Sequence, residues 1–287
     1  LRINIIANVL RRDALDAACR AVELLRGHGA EIGSDSETAP YLDVPALAAE
    51  EMGRADLMVS FGGDGTLIRA SHLCSALGTP ILGVHFGRFG FVTQCKPNEV
   101  GAALSQFFDG QARIEERMMV RTDLIRHDHV VATMHSLNEA ALQRAATTRM
   151  LTFQVTVDGE RLTRYPADGV IVCSPTGSTA YNLSAGGPIV DPKLNALVLT
   201  AITPHTLSAR PLVLCPDSVI ELRMTTRGDA VLSCDGQSRL HMLSGDKVRI
   251  TRSDRVTRLV KVEDNDFLFK LGERLLWSRG LTQDEES

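Results

Sequence analysis

Five residues, Gly62-Gly63-Asp64-Gly65-Thr66, follow directly on an apolar run, Leu57-Met58-Val59-Ser60-Phe61. In open α/β sheets, ligands bind at the carboxyl ends of strands such as this one. Glycines let a backbone approach a ligand closely and reach positive φ. The N–H groups that open the following helix favour anions. The pentapeptide therefore reads as a phosphate cradle. It is not the common P-loop, because the lysine of GxxxxGK[ST] is absent. A carboxylate in such a cradle repels phosphate. It becomes useful if Asp64 holds a divalent metal, or accepts a hydrogen bond from a hydroxyl that attacks phosphorus. Both uses point to phosphoryl transfer onto an alcohol. The plainer alternative is a tight strand–helix turn with Asp64 as helix N-cap.

Two further stretches have chemical potential. In "HSLNEAAL", Asn138 offers a donor and an acceptor, and Glu139 offers acceptors. Such a pair suits the edge of an adenine or the hydroxyls of a ribose; alternatively it is a polar pair at a strand end. The longest stretch is "ADGVIVCSPTGSTAYNLSAGGPIVDP", residues 167–192. No Lys or Arg lies between Arg164 and Lys193, whereas hydroxyls occur at Ser174, Thr176, Ser178, Thr179, Tyr181 and Ser184. Hydroxyls and backbone amides without charge suit a ribose, an adenine or a carboxamide better than a bare phosphate. A Ser/Thr-rich loop is the alternative.

The elements that must position these residues alternate at first. "RINIIANV" reads as a strand, and "RRDALDAACRAVELLRGHG" as a helix with Leu15, Ala18, Val22 and Leu25 on one face. "AEIGSDSETAPYLDVPAL" reads as a mobile polar loop. "ADLMVSF" and "PILGVHF" are buried strands flanking the helix "GTLIRASHLCSAL", and "PNEVGAALSQFFDG" is amphipathic. This alternation predicts a parallel sheet with helices on both faces. After about Arg113 the runs become short and β-rich, with "VDGE" a hairpin turn, so a sandwich-like β domain is expected. "DNDFLFKLGERLLWSRG" is expected to fold back and close the first domain, and "GLTQDEES" reads as a solvated tail.

Composition narrows the class. The 287 residues are 44% hydrophobic and 23% charged, with a formal net charge of −4. That charge, with no basic run and few aromatics, argues against a nucleic-acid partner. No apolar run approaches the roughly 20 residues that span a bilayer, so no membrane role is expected. Six scattered cysteines with no CxxC pair argue against a zinc site and for a reducing compartment. The N-terminal segment lacks a signal-peptide layout, and a cytoplasmic location is expected.

Taken in order, GGDGT, then NE, then DGVIVCSPTGSTAYNLSAGGPIV resemble the NAD kinase family. "GVHFGRFGFVT", "LTAITPHTLSARPLVL" and "SCDGQ" are similar to further family segments, and the resemblance covers roughly residues 54–250. It implies an α/β N-terminal domain with a parallel sheet, joined to a β-rich, sandwich-like C-terminal domain. In those terms residues 1–112, completed by 266–287, form the phosphate-donor domain and 113–265 the NAD-binding domain. It implies phosphoryl transfer from ATP, or polyphosphate, to the 2′-hydroxyl of the adenosine ribose of NAD, giving NADP. Asp64 would contact that hydroxyl as the base, and Gly62, Gly63, Gly65 and Thr66 would hold donor phosphate, with Gly65 also at the NAD. Asn138 and Glu139 would hold the NAD adenosine, and Phe91 would pack near the adenine. Thr176, Thr179, Ala180, Tyr181 and Ser184 would line the adenine and ribose pocket. Asp168 would reach the nicotinamide end from a neighbouring subunit of a homodimer or homotetramer. Mg²⁺ is the expected cofactor, with no metal ligands assigned. Ser174 departs from the family's usual Thr, and Phe86 and Phe89 from its usual smaller residues. Arg88, His85 and His205 are given no role. Two other classes compete. A lipid or sugar kinase shares the glycine turn but calls for a membrane face or added cations. A dinucleotide sensor would bind without turnover.

Overall fold

The computed structural model describes residues 1–87, 90–92, 95–145, 150–225, 228–243, 245–262 and 267–275. Arg88, Phe89 and the C-terminal "GLTQDEES" lie outside the described residues. By contact density the chain divides into two units, Leu1–Glu116 with the chain from Thr257 onward, and Arg117–Val256.

The first unit is α/β. Its elements are β1 (Arg2–Ala7), α1 (Arg12–Gly27), β2 (Glu31–Asp35), α2 (Ala39–Leu42), β3 (Ala46–Leu47), α3 (Ala49–Met52), β4 (Leu57–Gly62), α4 (Asp64–Cys74), β5 (Ile81–His85) and α5 (Val100–Phe108). Their strands run parallel in the order β5-β4-β1-β2-β3. Strand alternation sorts the two faces. Ile3, Ile5, Leu57, Val59, Phe61, Leu82 and Val84 pack with Ala14, Ala18, Val22 and Leu25 of α1 and Ala103 and Leu104 of α5. Asn4 points to the opposite face, where its Nδ2 donates to Met52 O at the end of α3. Helices thus cover both faces, as the alternation predicts.

Residues 30–47 depart from the expected loop: β2, α2 and β3 occupy them. Its buried polar side chains, Ser34, Asp35 and Thr38, are satisfied within the fold. Ser34 Oγ donates to Ile5 O at 2.7 Å, and Asp35 Oδ1 accepts the Thr38 N–H at 2.9 Å. Arg69 of α4 pairs with Asp35 and Glu37. A hydrophilic stretch whose hydrogen bonds close on the fold can be buried at little cost.

The second unit is antiparallel. It contains β6 (Arg113–Arg126, entering from the first unit), β7 (His129–Ser136), β8 (Glu139–Arg144), β9 (Leu151–Val157), β10 (Glu160–Ala167) and β11 (Gly169–Cys173). A 3-10 turn (Thr176–Thr179) and α6 (Tyr181–Ser184) follow, then β12 (Leu197–Ile202), β13 (Leu212–Leu214), β14 (Ile220–Met224), β15 (Ala230–Cys234), β16 (Ser238–Met242) and β17 (Lys247–Lys261). One sheet runs β10-β9-β14-β17; the other runs β13-β12-β11-β8-β15-β16. Their facing side chains, among them Phe153, Val155, Leu142, Val170, Val172, Leu199 and Leu232, share one core. The "VDGE" hairpin joins β9 to β10, with φ of 51° at Asp158 and 85° at Gly159, the positive values such a turn demands. Leu259 of β17 pairs in parallel with Ile81 of β5, and α7 (Phe267–Leu275) follows.

Candidate active site

β4 delivers the glycine turn. Its last residue is Gly62, Gly63 caps the helix, and α4 begins at Asp64. None of Gly62, Gly63 or Gly65 has a positive φ, contrary to the conformational reading of these glycines. Their reason is space. A Cβ on Gly62 would fall 2.7 Å from Thr66 Cβ, so Thr66 folds back onto that backbone. Among the described residues, a Cβ on Gly63 or Gly65 would meet no atom within 4 Å. No described residue requires glycine there, but close approach by a ligand would.

Gly63 is the N-cap and Asp64 the first residue of α4, so Asp64 does not stand at the N-cap position that the plainer reading gave it. Its carboxylate instead accepts the N–H of Phe91 at 3.1 Å and of Val92 at 3.4 Å. Asp64 and Phe91, 27 residues apart, are therefore brought together. An anion at this helix start also gains from the helix dipole.

In the second unit, alternation along β8 puts Glu139, Ala141 and Gln143 on the face turned away from the shared core. Ala141 packs there with Ile171, Cys173, Val190 and Val198. The 3-10 turn and α6 cover that face. Gly177 lies against Asn138: a Cβ would come 2.5 Å from its carbonyl carbon and 2.7 Å from its Cα. Asn138 and Glu139 are buried, and Asn138 Oδ1 and Glu139 Oε2 have no hydrogen-bond partner among the described residues. Buried polar atoms left unpaired are costly and uncommon. Burial pushes the Glu139 carboxyl up to about 8, the nearby Asp235 adds to this, and the Tyr181 backbone N–H opposes it. At neutral pH that carboxyl keeps its proton and can donate as well as accept.

The hydroxyl-rich stretch divides into two kinds of residue. Ser174 Oγ donates to Leu137 O at 2.5 Å and accepts the Gly177 N–H at 3.2 Å. Ser178 Oγ donates to Pro175 O at 2.6 Å and accepts the Val190 N–H at 3.0 Å. Asn182 spends its amide on Ser178 O, Pro188 O and Thr200. These fully buried groups hold the backbone, so of the hydroxyls counted in this stretch Ser174 and Ser178 are engaged within the protein. Thr176 is buried, Thr179 donates to Thr176 O at 3.2 Å, and Ala180 is half-buried. Tyr181 and Ser184 are exposed. Asp168 pairs with Arg144 at 2.7 Å, and Tyr181 Oη accepts from Gln143 at 2.6 Å. Burial raises the Tyr181 hydroxyl, with Asp168 and Glu139 adding to the shift.

Gln143, Arg144 and Asp235 were not singled out from sequence. The two-residue period from Glu139 could have found Gln143, and Arg144 then follows at the strand end. Among the described residues no three His, Cys, Asp or Glu side chains gather to hold a metal.

Comparison with known proteins matches both halves. The family model for the ATP-NAD kinase N-terminal domain fits residues 3–112, and that for the ATP-NAD kinase C-terminal domain fits 137–262. The NAD kinase of Moorella thermoacetica is 39% identical over 289 residues, covering 100% of this chain and 92% of its own. That of Caldanaerobacter subterraneus subsp. tengcongensis is 35% identical, covering 96% and 98%. Yeast NADH kinase complexed with NADH superposes with a TM-score of 0.88 at 25% identity, over 100% of this chain and 88% of that one. An NAD kinase from Archaeoglobus fulgidus in complex with ATP gives 0.76 at 25% identity, over 98% and 100%. A chain matched in sequence over each of its halves, and along its whole length by such a relative, belongs to the NAD kinase family.

Proposed function

We infer that the protein transfers the terminal phosphoryl group of ATP to the 2′-hydroxyl of the adenosine ribose of NAD, giving NADP and ADP. The observation that carries this reading is the Asn138–Glu139 pair, two buried acceptors without partners beside a wall of uncharged groups. An adenosine supplies what they lack. Its ribose hydroxyls and exocyclic amine donate, and a protonated Glu139 returns a hydrogen bond. Thr176, Thr179, Ala180, Tyr181 and Ser184 complete this pocket, and Phe91 packs near the adenine. Asp168 is assigned to the nicotinamide end, from a neighbouring subunit of a homodimer or homotetramer.

The turn of the first unit supports the donor role. Gly62, Gly63, Gly65 and Thr66 offer backbone at a helix start to the phosphates of ATP. Asp64 takes the hydrogen bond of the attacking hydroxyl and orients it. The hydroxyl oxygen bonds to phosphorus, the bond to the bridging oxygen breaks, ADP departs, and the hydroxyl proton passes to Asp64 or water. Positioning carries most of the rate in such transfers. Mg²⁺ commonly binds one or two carboxylates together with substrate phosphates, and Asp64 is the carboxylate at this turn. When bound, the ion neutralises charge on the phosphates. The dinucleotide sensor is disfavoured by an acid retained in this cradle. A cytoplasmic location belongs to the same reading.

Purified protein with NAD, ATP and Mg²⁺, read by an NADP-specific dehydrogenase, tests the activity. Parallel reactions with polyphosphate, with NADH and with EDTA name the donor, the acceptor and the metal requirement. NAD binding without product from any donor would overturn the kinase in favour of the sensor.

A further inference from the structure

The Asn138–Glu139 turn is held by a residue almost a hundred positions away. Asp235 stands at the tip of the hairpin joining β15 to β16, with φ of 50° there and 68° at Gly236. Its Oδ2 accepts the Leu137 N–H at 2.8 Å, and its Oδ1 accepts those of Asn138 at 2.8 Å and Glu139 at 3.0 Å. In return its own N–H donates to Glu139 O at 3.0 Å. A hairpin of this type needs only positive φ, which Asn or Gly supplies as well. The carboxylate has a different use. β7 ends at Ser136 and β8 begins at Glu139, so the N–H groups of Leu137 and Asn138 lie outside both strands. One buried side chain serves as acceptor for all three.

We propose that Asp235 is a positioning residue of the phosphorylation reaction, fixing the backbone of the Asn138–Glu139 turn and with it the placement of the NAD adenosine. This rests on the assignment of that turn to NAD. Four hydrogen bonds from one residue set where both side chains emerge. Gly177 closes the turn from the other side by direct backbone approach. Asp235 also sets the charge of its neighbour. The groups facing Glu139 are Asp235 from the hairpin tip, Tyr181 from α6, Cys173 from β11 and Cys234 from β15. After burial, the Asp235 charge is the next cause that keeps the Glu139 proton in place.

The test is Asp235→Asn in the full-length protein. The amide keeps one acceptor oxygen and turns an NH₂ on a backbone N–H. The expected result is a fall of about tenfold or more in kcat/KM for NAD, as for loss of one hydrogen bond to a charged group. KM for ATP stays within about twofold. The pH at which KM for NAD changes also moves down, because Glu139 loses a negative neighbour, and that shift disappears in a Glu139→Gln background. A merely structural role lowers the melting temperature without moving this pH profile. Amide exchange on the unmodified protein tests the clamp without any variant. Leu137 and Asn138 exchange slowly in the wild type and faster in Asp235→Asn, while the β11 amides are unchanged. Rapid exchange of these two amides in the wild type overturns the proposal, as does a folded variant with unaltered KM for NAD and pH profile. Wild-type protein that forms no NADP overturns the kinase assignment instead, and the exchange data then judge the clamp by itself.

Discussion

Gly62 and Gly63 are adjacent in one turn, and the fold treats them oppositely, so a methyl group at each separates folding from function. At Gly63 the backbone has φ −114° and ψ −166°, open to any residue, and a Cβ would find no atom of the described residues within 4 Å. Alanine there gains about 0.4–1 kcal/mol by restricting the unfolded chain. It loses a similar amount, about 0.5–1 kcal/mol, as a poorer helix cap. The melting temperature should stay within about 3 °C of wild type. If the turn cradles donor phosphate, the same methyl group occupies the space a phosphate oxygen needs, about 2.9 Å from a backbone nitrogen. Loss of one hydrogen bond to a charged group costs about 1.5–3 kcal/mol. That is about 10- to 100-fold in kcat/KM for ATP. At Gly62 the added Cβ would lie 2.7 Å from Thr66 Cβ, about 1 Å inside normal carbon contact. Such overpacking costs about 1–3 kcal/mol, so Gly62→Ala should melt lower by several degrees. The assay is initial-rate NADP formation at varied ATP and saturating NAD, beside a thermal melt of each variant. Gly63→Ala with normal melting and normal kcat/KM for ATP would refute the cradle.

Asp64→Asn should retain NAD binding and lose most turnover, with calorimetry and single-turnover rates as the check. Near-normal turnover sinks the orienting role. Gly177→Ala drives a methyl group to within 2.7 Å of the Asn138 backbone; a displacement of about 1 Å at such a turn can cost on the order of 100-fold. KM for NAD should rise far more than KM for ATP, and equal effects on both would count against the assigned pocket. Asp246 provides a pH test of stability. Its two hydrogen bonds from Arg126, at 2.9 and 2.8 Å, hold its carboxyl below the ordinary 3.8. A lowered carboxylate contributes stability above its unfolded value and loses it as pH falls through the folded one. Asp246→Asn should therefore melt below wild type at pH 7, and the difference should disappear as pH falls through the lowered Asp246 value.

What was legible in the sequence followed local pattern. The apolar runs before the glycine turn and after "SALGTP" gave β4 and β5, and "VDGE" gave the β9–β10 turn, because each depends on a few adjacent residues. What was missed depends on partners distant in the chain. The 30–47 segment looked like a loop because Ser34, Asp35 and Thr38 are polar, and nothing nearby shows that their hydrogen-bond partners are Ile5, Arg69 and Ala7. Ser174 and Ser178 looked like ligand groups for the same reason. Asp235 escaped notice because its three partners lie 96 to 98 residues away. Of the two reasons read for the glycines of the turn, positive φ does not apply, whereas room for close approach at Gly63 and Gly65 does.

β17 imposes an order on how the chain is made. Its first part pairs with β14, and Leu259 near its end pairs with Ile81. Nearby, Arg258 donates to Gly78 O across 180 residues of chain. The second unit is continuous in sequence and can close as soon as it is synthesised. β5 cannot: Cys95 bridges Val84 at one end of its edge, but the Ile81 end waits for Leu259. At about 5–20 residues per second the delay is about 10–40 s, during which that end of a parallel strand is left unpaired. A ribosome stall or premature stop before Thr257 would therefore release a chain with a finished second unit and a sticky first one.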